Sequence, residues 1–513
     1  MQFESWFRKL TGQSPYPYQA LLATSPELPD LLSVPTGAGK TAAVVLGWLW
    51  RRRFAAEPSR VKTPRRLVFC LPMRSLVEQT VRSAETWLTA AGLDQHVAVH
   101  PLLGGAVDQR WELAPADDAI IVGTQDMLLS RALGRGYAMS RFRWPWHFGL
   151  LNSDCLWVMD EVQLMGPGLT TSAQLQGLRE RLGTALPART LWMSATLGAG
   201  KLATIDLRDR PLTRIDISAQ DRANPALARR LAARKPLRAS PLTVTKKASG
   251  SDTLAREVLA AHKPGTLTLV VVNRVRRAQD LCLALRKIAG DNPVALLHSR
   301  FRPAERRPLQ NELLATRPEA RWTGILVSTQ AIEAGVDISA RVLFTELASW
   351  SAMVQRFGRC NREGTIDDAA VRWIDISDEL APPYTEAELA LARANLRSLK
   401  DVGPTLLAKL PQEPGVPEPP ALRRRDLLDL FDTEPDLAGH DIDISRYIRA
   451  SDDADVQVAW RSWPDDTTTA PPADSPALAA AELCRVRIHA LRDFLKKSRD
   501  PAYRWSSLER VWE

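Results

Sequence analysis

The chain has little of the material that holds structural metals, bridges sulfurs or crosses a bilayer. Its five cysteines, Cys70, Cys155, Cys282, Cys360 and Cys484, are scattered, with no Cys-x-x-Cys pair. That excludes the common zinc motifs and a disulfide framework, and it points to the cytoplasm. No apolar run approaches the roughly 18 residues of a membrane helix. The longest candidate, Ala42–Trp50, stops at Arg51-Arg52-Arg53. The opening Met1-Gln2-Phe3-Glu4-Ser5-Trp6 lacks the basic-then-apolar order of a signal peptide. Histidine is sparse too, seven in 513 residues, which leaves few ligands for a hydrolytic metal cluster.

What is present is an ordinary globular composition, 45% hydrophobic and 25% charged, sufficient for a large core. The length predicts roughly three domains. A formal charge of +9 permits a polyanionic partner without requiring one. Apolar runs at Leu67–Leu71, Ile120–Gly123, Leu156–Met159 and Thr190–Met193 alternate with helix-length stretches such as Ser75–Ala91. Alternation of this kind predicts βαβ units on a parallel sheet. It restarts at Leu267–Val272 and runs through Val294–Leu297, Ile325–Ser328 and Val342–Thr345, which predicts a second α/β domain. The expected division is 1–200, a basic connector over 201–255 with one helix, a second domain over 256–380 and an accessory region over 381–513. Within the last, Pro411–Pro420 reads as an extended spacer and Thr467–Pro476 as a loop. No internal repeat is visible.

The sharpest local pattern runs from Leu31 to Thr41. A strand delivers the chain to a tight loop, and a helix over Thr41–Arg53 follows. Gly37 and Gly39 let backbone N–H groups around Thr36 and Ala38 turn inward onto phosphate oxygens, aided by the helix dipole. Lys40 would reach the β- and γ-phosphates, and the Thr41 hydroxyl would bind Mg²⁺. The strict Gly-x-x-x-x-Gly-Lys-Thr pattern has glycine where Val34 stands here.

A second pattern follows the buried run Leu156–Met159, which ends in Asp160-Glu161-Val162-Gln163. Carboxylates at the C-terminal end of a parallel strand face the ligand crevice. Asp160 would hold the Mg²⁺ shell, and Glu161 would orient and deprotonate an attacking water. Ser194-Ala195-Thr196 closes the next apolar run, and its hydroxyls would bond Gln163 and couple to the nucleotide state. Beyond it, Gln355 precedes arginines at 356, 359 and 362. Spaced by three, these are expected to share one helix face. Phosphoryl transfer needs positive charge on the γ-phosphate, which selects Arg359 and Arg362 as fingers. In Ile325–Asp337, Gly335 would approach the nucleotide closely, and Asp337 would bond ribose or position a finger.

The order of these motifs resembles the superfamily 2 helicases over residues 15–365. That resemblance implies an α/β fold of two tandem RecA-like parallel-sheet domains plus a mostly helical C-terminal accessory region, with ATP and Mg²⁺ as cofactors. Gln19, after Tyr16-Pro17-Tyr18, matches the family's adenine-reading glutamine. Arg74, Gly105 and Thr124 match first-domain nucleic-acid contacts, and Asn273, Arg300 and Thr329 those of the second domain. More narrowly, Asp160–Gly166 resembles the CRISPR-associated interference helicase of type I systems. Arg141–Pro145, Phe148–Leu151, Asp154–Trp157 and Asp441–Tyr447 resemble its type I-G (formerly I-U) branch. The resemblance implies a 3′→5′ single-stranded DNA translocase recruited to an R-loop by a CRISPR effector complex. Gln163 stands where relatives often have histidine. The family's histidine–aspartate (HD) nuclease has no visible ligand set, because His440-Asp441 lacks partner histidines and only about 30 residues precede the phosphate loop, too few for such a domain. The nuclease is therefore expected in a separate subunit or a missing C-terminal domain.

Other signals stay open at this level. Trp144-Pro145-Trp146-His147, beside Arg141 and Arg143, would either stack bases or pack the core. The arginines of Arg222–Arg238 and Arg423–Arg425 would line a DNA channel or coat solvated helix faces. An RNA helicase, a repair translocase and a nucleotide-binding recruitment scaffold are the alternative functions.

Overall fold

The structure, a computed structural model, describes residues 2–513 apart from 36, 105, 108–109, 138, 195–201, 205, 247–249, 314–320, 334–336, 408–409, 411–419, 433–441, 450–454, 462–477, 480–481, 499–504, 507–510 and 513. Two parallel sheets dominate it. The first contains β1 (Leu31–Ser33), β2 (Arg66–Leu71), β3 (Ala98–Leu103), β4 (Ala106–Val107), β5 (Ala119–Thr124), β6 (Cys155–Met159), β7 (Ala188–Ser194) and β8 (Arg214–Asp216). Their spatial order is β4-β3-β5-β2-β6-β7-β1-β8, parallel except for the β3–β4 edge. β2, β5 and β6 are buried along their whole length, as strands covered by helices on both faces must be.

Parallel order has a direct consequence for the site. β6, β7 and β1 are neighbours, with Met159 opposite Trp192 and Ser33 opposite Ser194. The loop after β1, the end of β7 and the acidic turn after β6 therefore emerge side by side at one sheet edge. The helix Lys40–Arg53 leaves that edge with Arg51, Arg52 and Arg53 in its last turn, where they complement the helix dipole. The helix Arg74–Ala91 buries one face through Val77, Thr80, Ala84 and Leu88, and Gly92 ends it at φ 67°, a left-handed position suited to glycine.

The second sheet contains β9 (Leu237–Val244), β10 (Leu267–Val271), β11 (Val294–Leu297), β12 (Gly324–Ser328), β13 (Val342–Glu346) and β14 (Ala370–Ile376). Its order is β11-β12-β10-β13-β14-β9, all parallel. β8 and β9 both lie within 201–255, so that segment is not a plain connector with one helix. Each is a sheet-edge strand, which needs only one neighbour and no continuous apolar run. β9 even contains Pro241, tolerable only at an edge.

The accessory region divides its contacts. Helix Glu386–Ser398 packs on the second core through Leu389, Ala392 and Leu396. The chain then returns to the first domain, where Leu422, Leu430, Ile444, Tyr447 and Ile448 join the core around β6. Strands 455–458 and 484–487 pair antiparallel, and Cys484 Sγ meets the Arg300 carbonyl at 3.3 Å. Arg135 clamps the return: its guanidinium donates to the carbonyls of Leu430 (2.6 Å), Asp429 (2.9 Å) and Asp432 (2.8 Å). These satisfy the end of helix Arg424–Phe431, whose last carbonyls have no partner within the helix. Arg135→Ala is expected to lower stability by roughly 2–3 kcal/mol, since hydrogen bonds from a charged donor are lost. Limited proteolysis should then cut first within 420–449. Wild-type urea unfolding and an unchanged cleavage pattern would show that the apolar contacts alone hold the strap.

Candidate active site

β1 runs into the loop through Val34, which is fully buried and donates its N–H to the Ser194 carbonyl at 3.2 Å. The position that departs from the strict glycine pattern thus continues the sheet pairing and sits in the core. Gly37 and Gly39 adopt φ 85° and 80°, a region open to glycine and strained for other residues. Space also demands them. A Cβ on Gly39 would lie 2.8 Å from Gln19 Nε2, and one on Gly37 would lie 3.4 Å from Arg362 Nη2. Thr36 lies outside the described residues, Ala38 is buried, and Thr41 sits partly exposed in the first helical turn.

Lys40 opens the helix and is only 6% exposed, with Nζ 3.6 Å from Glu161 Oε1 and no hydrogen-bond partner. A buried ammonium with unused donors is the feature that an incoming anion would satisfy. Glu161 itself adopts φ 51°, a strained conformation of the kind that persists where the surroundings enforce it. Gln163 Nε2 donates to Glu161 Oε2 at 2.6 Å, and Ser194 Oγ donates to Gln163 Oε1 at 2.9 Å. A continuous polar chain therefore runs from the end of β7 to the phosphate-loop lysine. Thr196 lies outside the described residues. Asp160 accepts the Glu161 N–H at 2.9 Å. Burial, only partly offset by Lys40, pushes the Asp160 carboxyl up to about 7. Burial also acts to raise Glu161, but Lys40, Gln163, Arg359 and Arg362 outweigh it and hold this group below the usual carboxylate range.

Gln19 is buried, accepting the Tyr16 N–H (2.8 Å) and donating to the Gly39 carbonyl (3.0 Å). It braces the phosphate loop from the helix Pro17–Thr24. Tyr18 does the same through its hydroxyl, 2.5 Å from the Ala38 carbonyl.

The second domain faces this loop with a turn that departs from the expected helix. The helix Trp350–Phe357 ends before Gly358, and Asn361 turns the chain at φ 42°. The three arginines therefore do not share a helix face, and their environments diverge. Arg356 is fully buried and pairs with Glu333 at 2.7 Å, with further bonds to Thr345, Asn273 and Tyr384. Arg359 is buried and donates to the carbonyls of Ile332 (3.0 Å) and Glu333 (2.5 Å). Burial and the neighbouring Arg362 lower it to about 10, so it keeps its charge at neutral pH. Arg362 alone of the three lies against the loop of the first domain. Its Nε is 2.5 Å from Asp337 Oδ1, and its Nη1 is buried without a partner. Asp337 thus holds the Arg362 side chain. Gly335 lies outside the described residues, and Gln355 is buried in the helix Trp350–Phe357.

The six expected nucleic-acid contacts also separate. Arg300 is exposed, and Arg74 is partly exposed at the start of its helix. Gly105 lies outside the described residues. Thr124, Asn273 and Thr329 are buried. Asn273 spends its groups internally, bonding the Glu346 carboxylate (2.7 Å), the Leu347 carbonyl (2.8 Å) and Arg356 (3.0 Å). Its side chain is thus committed within its own domain. Trp144 packs beneath Arg135, 4.8 Å from the ring, whereas Trp146 is exposed. His440 and Asp441 lie outside the described residues, and among the described residues no three His, Cys, Asp or Glu side chains converge as a metal site. Among the described residues, no helix is long and apolar enough to cross a membrane.

Sequence reasoning did not single out Arg230. It sits in the arginine-rich stretch read as a channel lining or a solvated face, yet its guanidinium donates to the Gly37 carbonyl. Nothing in a local pattern distinguishes it from its neighbours.

Two families match the chain. The DEAD/DEAH box helicases match residues 19–205, and the C-terminal region of the CRISPR-associated nuclease/helicase Cas3 matches 264–365. A CRISPR-associated nuclease/helicase Cas3 from Haloferax volcanii is 47% identical over 116 residues, 21% of this chain and 12% of that protein. The Streptococcus thermophilus protein of the same name is 36% identical over 104 residues, 19% and 11% of the two chains. A CRISPR-associated helicase Cas3 from Thermoproteus tenax is 32% identical over 133 residues, 24% and 23% respectively. The matched segments thus span a quarter or less of these relatives' lengths. Among solved structures, T. fusca Cas3 with AMPPNP superimposes with a TM-score of 0.57 at 20% identity, over 78% of this chain and 52% of that one. Mycobacterium smegmatis helicase Lhr, bound to ssDNA and AMP-PNP, gives 0.52 at 18%, over 77% and 50%. These likenesses show the same two-domain fold.

Proposed function

We propose that the chain is an ATP-driven motor of the Cas3-like, CRISPR-associated helicases of superfamily 2 that moves along single-stranded DNA, a reading supported by its matches to the DEAD/DEAH box helicases and to the C-terminal region of Cas3. The observation that carries the reading is the buried Lys40–Glu161–Gln163–Ser194 chain on one domain, met across the cleft by Arg362 of the other. In this reading Lys40 neutralises the β- and γ-phosphates of ATP, and its orphaned Nζ finds its partners there. Thr41 and Asp160 would hold Mg²⁺, which when bound supplies charge neutralisation on the phosphates. Glu161, kept ionised by Lys40, orients the attacking water and takes its proton. Arg362 stabilises charge on the γ-phosphoryl oxygens as the domains close. The Gln163–Ser194 link carries the state of Glu161 to the end of β7. Arg74 and Arg300 contact the strand, one from each domain, so closure shifts their separation along the DNA.

We further propose 3′→5′ movement, recruitment to an R-loop by a CRISPR effector complex, and a nuclease that lies outside this chain. The family resemblance supports the first two, and the scarcity of histidine supports the third. ATPase stimulation by single-stranded DNA is expected to exceed that by RNA, and the reverse preference would favour an RNA helicase. Circular single-stranded DNA should survive incubation with the chain and Mg²⁺, Mn²⁺, Co²⁺ or Ni²⁺, with or without ATP. Metal-dependent loss of the circle that co-purifies with the polypeptide and disappears in His440→Ala would sink the claim about the nuclease.

A further inference from the structure

The segment between the two sheets touches both halves of the cleft. Its helix, Pro225–Leu231, is rooted in the first domain: Leu227 is buried in that core, and Leu231 packs against it. Just upstream, Asp221 accepts the Tyr18 N–H at 2.9 Å, and Tyr18 in turn holds the phosphate loop through the Ala38 carbonyl. From the helix itself Arg230 donates to the Gly37 carbonyl of that loop. The residues on either side of Arg230 grip the other domain's finger turn. Arg229 Nε donates to the Glu363 carbonyl at 3.4 Å, and Asn361 Nδ2 donates to the Arg234 carbonyl at 3.2 Å. Lys235, 3% exposed, donates from Nζ to the carbonyl of Phe357 at 2.7 Å, the residue that ends the helix leading into the finger turn. Its backbone N–H is held by Asp401 at 3.1 Å. The approach is close: a Cβ on Gly364 would lie 2.3 Å from the Arg229 carbonyl.

We infer that this connector is a two-ended tie that sets the phosphate loop and the finger turn in register, with Arg230 as the positioning residue at one end and Lys235 at the other. The physical ground is that Gly37 lies against cations from two sources. Arg362 lies 3.4 Å from where a Cβ on Gly37 would stand, and Arg230 holds its carbonyl, so any shift of the loop is felt by both. Eight residues of chain, Arg230 to Leu237, lead from the loop contact to the first strand of the second sheet, and within them Arg234 and Lys235 are pinned to the turn and the helix end before it. Slack in this span would let the finger drift from the γ-phosphate, and misplacement by about 1 Å costs on the order of 10²-fold in rate. Neither Arg230 nor Lys235 needs to touch the nucleotide.

The inference rests on the proposed ATPase, and the test separates the two. Arg230→Met and Lys235→Met should each lower the DNA-stimulated kcat for ATP by about tenfold or more, with KM for ATP within about threefold and a near-wild-type melting temperature. Arg230→Lys, which keeps a cationic donor, should recover most of the rate. A raised KM at unchanged kcat would make Arg230 a nucleotide ligand and overturn the tie, and wild-type kinetics in both methionine variants would do so as well. All five cysteines are buried, so spin labels at Leu21→Cys and Leu283→Cys, on exposed positions of the two domains, would report interdomain distance. AMPPNP should narrow the distance distribution in the wild-type background and fail to do so in Arg230→Met. Were the wild-type chain itself without stimulated ATPase, the proposed function would fall. The distance measurement would then decide the tie, with an unchanged response in Arg230→Met overturning it.

Discussion

Lys40→Ala is expected to remove ATP hydrolysis, with kcat down by roughly 10³-fold or more. Nζ of Lys40 is buried, has no hydrogen-bond partner and stands 3.6 Å from Glu161, so its donors are free for the phosphates, and the substitution removes them. The same substitution leaves Glu161 buried without its principal counter-charge, which destabilises the apo fold. The control is therefore Glu161→Gln. There an amide oxygen remains for Gln163 Nε2, which donates to this side chain at 2.6 Å, and only the proton-accepting charge is lost. That variant should fold, retain nucleotide affinity and fail to turn over. Binding would be read with a fluorescent ATP analogue and hydrolysis by phosphate release. Normal turnover in either variant would remove these residues from the engine.

Arg362→Ala should lower kcat by about 10³-fold while ATP affinity stays within an order of magnitude. Arg359→Ala should behave differently, although both arginines suit the role on sequence grounds. Arg359 commits donors to the carbonyls of Ile332 and Glu333, so its loss leaves those carbonyls without these bonds. The expected result is a stability loss of roughly 2–3 kcal/mol accompanying a smaller kinetic effect. Arg362 is poised against Gly37 with Nη1 unpartnered, so its removal should spare the melting temperature. Comparing kcat with melting temperature for the two variants checks the assignment. If Arg362→Ala loses stability and DNA affinity but keeps kcat, Arg362 is a backbone-phosphate ligand, and Arg359 becomes the finger.

The amino-acid sequence by itself determined the parts whose physics is local. A loop that needs left-handed backbone at 37 and 39 takes glycine there. A strand buried on both faces is a continuous apolar run such as Leu156–Met159. A helix that starts at a phosphate loop carries its lysine in the first turn. Such signals span about ten residues and are independent of what lies across the molecule, so the two sheets, and the loop and acidic turn that they bring together, were readable in advance. Tertiary structure decided whatever depended on a partner far along the chain. β8 and β9 lack an apolar run because an edge strand is stabilised by one neighbour, so they were invisible inside an arginine-rich segment. The separation of Arg359 from Arg362 follows from the helix ending before Gly358 and from the left-handed turn at Asn361, which spacing by three does not encode. Asn273 matches a strand-contact position, yet the fold closes Glu346, Leu347 and Arg356 around it. Arg230 is one arginine among many until Gly37, 193 residues earlier, is brought to its guanidinium. A cation's role is set by the charge or carbonyl it meets, and that partner is chosen by the packing of the two sheets, not by the residues beside it in the chain.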